Sequence, residues 1–92
     1  MKIQVTAANV AQVIGVAIQR TANDLVTFGE IALDVFGWTA AGGVVGRIVY
    51  ENRNNIPNWH RIVNQGNHPV ADIEALTRLI GEGYTLRNGC IV

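Results

Sequence analysis

Ninety-two residues allow one domain, spanning 1–92, and not two. Hydrophobic residues make up 49% and charged residues 15%, enough apolar material for a packed core. Seven Lys and Arg balance seven Asp and Glu, which argues against a strong nonspecific polyanion binder, because phosphate affinity scales with the number of contacting cations.

The first element is a helix over residues 8–20, "ANVAQVIGVAIQR". Val10, Val13, Ile14, Ala17 and Ile18 recur at helical spacing and give one apolar stripe. Residues 21–26 read as a connector. At 27–37, "TFGEIALDVFG", Thr27 and Glu30 form a capping box, Ile31, Ala32, Val35 and Phe36 make the inner face, and Gly37 suits the left-handed residue that ends a helix. Thr39 then serves as cap for a helix running to about Asn52, with Val44, Val45, Ile48 and Val49 inward and Gly42-Gly43 weakening its first turn. Two short helices joined by a tight turn make the helix-turn-helix pattern, which also occurs in many all-α cores.

Residues 56–67 read as loop around a short extended piece, "RIVN". Residues 71–82 predict a last helix with Ile73, Leu76, Leu79 and Ile80 inward. Asn88-Gly89 is a hairpin-turn dipeptide between two short extended runs. The expected fold is mainly α: a small winged-helix-like, helix-turn-helix domain closed by a short C-terminal β-hairpin. The lone cysteine, Cys90, excludes an internal disulfide and a zinc cluster, and no metal or organic cofactor is implied. No signal-peptide pattern or membrane-length apolar run is present. The expected location is cytoplasmic, nucleoid-associated in a prokaryote or nuclear in a eukaryote, with no membrane partner.

Four segments, "TFGEIA" (27–32), "VVGRIVYEN" (44–52), "PNWHRIVNQG" (57–66) and "LIGEG" (79–83), occur in the order found in O6-alkylguanine-DNA alkyltransferases. The chain resembles the C-terminal domain of that family from about residue 8 onward. It is most similar to the alkyltransferase-like branch, in which tryptophan replaces the reactive cysteine before the histidine; here Trp59 precedes His60. The resemblance implies a DNA-binding protein that holds an extruded O6-alkylguanine without repairing it and hands the lesion to nucleotide excision repair proteins. Its partner is then double-stranded DNA.

Chemistry and resemblance agree on what Trp59 cannot do. Alkyl acceptance needs a thiolate, and an indole offers no comparable nucleophile near neutral pH. It can line a pocket and stack on a flipped base, or simply fill core volume. The resemblance places Trp59, Phe28 and Asn64 at the lesion pocket. It places Asn52, His60 and Glu82 in a buried hydrogen-bond network, which without a thiol acts as a brace. The candidates for DNA contact are Thr39, Gly43, Arg47, Arg53 and Arg61, with Arg61 equally suited to supporting the loop.

The chain departs from the family at named positions. Phe28 stands where the family has a tyrosine that helps flip the nucleotide. Gly43, or Gly42 with a one-residue slip, stands where an arginine replaces the flipped base. Asn58 stands where a proline precedes the reactive position, and the loop after "RIVN" is short. These departures support an alternative: a diverged module of the same fold that serves protein interaction or nonspecific DNA binding. A reading of Cys90 as alkyl acceptor is disfavoured by its distance in sequence from the His60 motif.

Overall fold

In the computed structural model, residues 4–92 are described. Helix α1 (Ala7–Arg20) begins at Thr6, whose hydroxyl accepts from the Asn9 amide while the Asn9 side chain accepts from the Thr6 amide. That is a capping box with Asn in place of Glu. Strand β1 (Val26–Thr27) follows, and then α2 (Phe28–Phe36). Thr27 accepts from Glu30 N at 3.0 Å and Glu30 returns the bond to Thr27 N, as the sequence predicts. Gly37 ends α2 at φ 71°, a region that disfavours residues with a Cβ.

Helix α3 spans Gly42–Glu51 and starts later than expected. Thr39 does not cap it. Residues Thr39–Ala41 form a 3-10 turn, and Ala41 caps α3 with no side-chain hydrogen bond. The reason lies in the packing: a Cβ on Gly42 would stand 3.4 Å from the backbone nitrogen of Gly29, so this glycine lets α2 and α3 approach backbone to backbone. The chain bends by 116° between α2 and the Thr39–Glu51 segment. Helix-turn-helix pairs cross at roughly 90–120°.

The stretch 21–26 is more than a connector. Its end, β1, pairs in parallel with β2 (Ile62–Asn64), Val26 opposite Ile62 and Thr27 opposite Val63. Strand β3 (His68–Pro69) adds antiparallel to the other edge of β2, giving the order β1-β2-β3. Helix α4 (Ile73–Gly81) is capped by Asp72, whose carboxylate accepts from the Glu74 and Ala75 amides. The inward face of α4 is Ala75 and Leu79, with Leu76 half-buried. Ile73 and Ile80, expected inside, are 83% and 59% exposed. Ile18 on α1 is likewise outward.

Strands β4 (Leu86–Arg87) and β5 (Cys90–Ile91) form the C-terminal hairpin. Asn88 and Gly89 both take positive φ, 53° and 79°, the geometry of a type I′ turn. The hairpin docks through Ile91, whose amide donates to Asn67 O at 3.0 Å. Over the described residues the fold is thus mainly α, with four α-helices and a small C-terminal hairpin, plus a three-stranded sheet whose strands are two or three residues long. One core cluster joins Val13, Ile31, Val45, Ile56, Trp59 and Ile62; a smaller one of Val63, Leu79 and Ile91 seats the hairpin. No single helix is long and apolar enough to cross a membrane among the described residues.

Candidate functional site: an aromatic pocket beside helix α3

The short turn Trp59–Arg61 holds the three residues that stand out in the sequence. Trp59 and His60 are buried, at 4% and 0% exposure, while Arg61 runs along the surface of the same turn. His60 Nε2 and Glu82 Oε2 are 2.8 Å apart. An ionised carboxylate only accepts, so Nε2 carries the proton and His60 donates. Glu82 is placed for this by its position just after the last turn of α4.

The other carboxylate oxygen, Oε1, accepts from Arg61 Nε at 3.0 Å. Arg61 also donates through Nη1 to the carbonyls of Thr21 and Ala22, at 2.9 and 3.1 Å. The turn, the end of α4 and the exit of α1 are thereby tied together. Arg61, a candidate for DNA contact in the sequence, uses its donors inside the protein, and its side chain is only 18% exposed. Arg78 adds a further tie, donating to Pro57 O at 2.7 Å.

Asn52 does not join this network. Its carboxamide donates to Ile48 O at 2.8 Å and closes the end of α3. His60 Nδ1 is buried without a hydrogen-bond partner among the described residues. Burial holds the His60 pKa below its ordinary 6.5, against the pull of Glu82. Burial works to raise the Glu82 pKa, but the bonds from Arg61 and His60 outweigh it and hold that carboxyl below 4.5. The pair is therefore a neutral imidazole on an ionised carboxylate near neutral pH.

Trp59, Phe28 and Asn64 meet in one pocket of about 290 Å³. Val49, Tyr50, Gly46, Val70 and Ala71 complete its walls. Tyr50 meets Trp59 edge to face, with ring centroids 6.1 Å apart and planes at 83°. Phe28, Gly46 and Asn64 also border an adjoining open cleft of about 650 Å³, lined by Thr39, Gly42, Gly43 and Glu30. Sequence reasoning missed Tyr50 and Gly46. Helical spacing carried the signal, since Gly43, Gly46 and Tyr50 lie three, four and seven apart on α3.

The outer stripe of α3 carries Gly43, Arg47, Tyr50 and Glu51, all exposed. Arg47 is 84% exposed and donates to Glu51 at 2.8 Å. A Cβ added at Gly43 meets nothing within 4 Å, so this position opens onto solvent at the cleft edge and Gly42 packs inward. The structure thus separates the two glycines that the sequence leaves interchangeable. Cys90 Sγ lies 3.5 Å from both ring nitrogens of His68, and neither residue lines the pocket.

The walls of the smaller cavity are mostly aromatic and aliphatic, and their polar groups belong to Asn64, Tyr50 and Trp59: a carboxamide, a phenol and an indole N–H. Comparison with protein-family models, curated proteins and solved structures returned no match to this chain.

Proposed function

We propose that the protein binds DNA without catalysis, presenting α3 to the duplex and holding an extruded O6-alkylguanine in the pocket of Phe28, Tyr50 and Trp59. The observation that carries the reading is the convergence of those three rings and Asn64 on one cavity at the edge of a helix-turn-helix. A flipped base is held by stacking and by bonds to its polar edge. The rings offer the first, and the Asn64 carboxamide offers both a donor and an acceptor for the second. Trp59, an indole in place of a thiol, fits retention of the lesion rather than its repair, with nucleotide excision repair proteins as the downstream partners.

The test compares one duplex with guanine against the same duplex with O6-methylguanine, at low salt. A preference for the lesion that Trp59→Phe weakens supports the reading; equal binding of the two duplexes, or none, overturns it. Trp59→Ala is the poorer probe, because Trp59 belongs to the main core and such truncations cost roughly 3–5 kcal/mol.

A second reading has its own observation. The Arg47–Glu51 pair neutralises the outer face of α3, and Glu30 borders the cleft. That pattern suits a module of this fold that engages a protein or touches DNA without flipping. Lesion-independent binding would favour it.

A further inference from the structure

The cations nearest the pocket differ in how they are occupied. Arg61 is tied to Glu82 and two carbonyls, and Arg47 to Glu51. Arg53 is tied to neither sign of charge. Its guanidinium lies over the Tyr50 ring, with Cζ 4.2 Å from the centroid, and Nη1 donates to Tyr50 O at 2.7 Å. Among the described residues no carboxylate lies within 4.0 Å of it. A guanidinium has five N–H donors, so four remain for an outside acceptor.

Tyr50 therefore presents its ring to two things at once: it is a wall of the pocket, and it is the platform on which Arg53 rests. A flat heterocycle held beside Tyr50 lies about one ring thickness from a cation with free donors. One sugar separates a base from its own phosphate, which is a reach of this order. The adjoining cleft is less suited to a phosphate, because the Glu30 carboxylate borders it.

We propose that Tyr50 and Arg53 form a nucleotide-reading unit, in which the heterocycle enters the pocket between Tyr50, Trp59 and Phe28 and Arg53 binds the phosphate of that same nucleotide. The proposal rests on the reading of the pocket as a base site and adds to it the group that reads the phosphate. Ring site and cation sit three residues apart on one short stretch, so a single nucleotide satisfies both without a duplex wrapping the protein. Planarity matters: a guanidinium stacks on the phenol and still aims parallel donors at phosphate oxygens, which an ammonium does not.

Calorimetry at low salt tests this with three probes: O6-methylguanosine, its 5′-monophosphate, and a short single strand carrying the same base. The monophosphate is expected to bind about tenfold more tightly than the nucleoside, the gain of roughly one charge-assisted contact. Arg53→Gln should abolish that gain. Arg53→Lys should keep part of it, which separates lost charge from lost folding, and Arg47→Gln should keep all of it. A gain confined to the single strand, and lost in Arg53→Gln, would also support Arg53 as phosphate reader and assign the acceptor to a strand phosphate. Equal binding of nucleoside and monophosphate, with no Arg53 dependence in the strand, overturns the proposal and leaves the base pocket standing. Failure of all three probes to bind overturns both.

Discussion

The Trp59–Arg61 turn and the outer face of α3 border the same pocket, yet they are built on opposite terms. In the turn, Glu82 serves two cationic or donor groups with its two oxygens, and Arg61 reaches two further carbonyls, so most polar atoms are engaged across distant parts of the chain. On the α3 side, Gly43 contributes no side chain, Arg47 is occupied by its own helix, and Arg53, just past the end of that helix, rests on Tyr50. One region is over-determined by tertiary bonds; the other is open and can be altered at little cost to folding. Substitutions in the polar brace of the turn, at His60, Arg61 and Glu82, should therefore register as stability, and substitutions on the outer face of α3 mainly as binding.

The largest effect is expected from Glu82→Ala. It leaves a buried imidazole and a mostly covered guanidinium without their shared partner, and two bonds involving charged groups are worth about 3 kcal/mol together. Urea unfolding should show that loss, with Glu82→Gln losing about half of it, since one acceptor oxygen remains. A loss under about 0.5 kcal/mol would erase the contrast between the two regions.

Acid should expose the same brace in the unmodified protein. His60 and Glu82 both have folded pKa values below their ordinary ones, so the unfolded chain takes up protons first. Stability is then fully present above pH 6.5 and declines as pH falls below it through His60, with a second decline below 4.5 through Glu82. Thermal melts across that range in wild type and Glu82→Ala check the assignment: the variant should lose the lower decline.

On the α3 side, Gly43→Arg places a long cation at an open position, where an added Cβ meets nothing. If the pocket takes an extruded base, a group able to fill the vacated stack should raise affinity for a lesion-bearing duplex about tenfold, since extrusion costs a few kcal/mol. Fold stability should not fall. Gly46→Ala is subtler. Its Cβ would touch the Phe28 ring at 3.8 Å, ordinary contact, while narrowing the cavity both clefts share. Helix propensity should stabilise the fold by roughly 0.5–1 kcal/mol as ligand affinity drops. Opposite signs in one variant would sharpen the division between folding and binding. The smallest effect belongs to Arg47→Ala, where loss of an exposed i,i+4 pair should cost only about 0.3–0.5 kcal/mol in a urea titration.

Local signals were legible in the sequence wherever the interaction spans a few residues. The Thr27–Glu30 box, the left-handed Gly37 and the Asn88-Gly89 turn are each set by neighbours no more than four positions apart. The same holds for the helix pair that gives the fold class. The start of α3 was not legible, because the close approach of Gly42 to Gly29, and not the Thr39 hydroxyl, governs that corner. The orientation of α4 misled for a related reason: Ile73 and Ile80 share a helical face with each other, but the core recruits Ala75 and Leu79.

By itself, then, the sequence determined the presence of the helices, both ends of α2, the terminal turn and the lack of a thiol nucleophile at position 59, since these depend on residue type and short spacing. Only the tertiary structure decided that β1 pairs with β2 across some thirty-six positions, that Arg61 braces rather than reaches outward, that Asn52 stays on its own helix, and that Tyr50 joins Trp59 with Arg53 on its ring. Those outcomes depend on which distant groups compete for the same donor, acceptor or ring face. That competition is settled only when the elements pack, and it is what makes a pocket from residues that are unremarkable one by one.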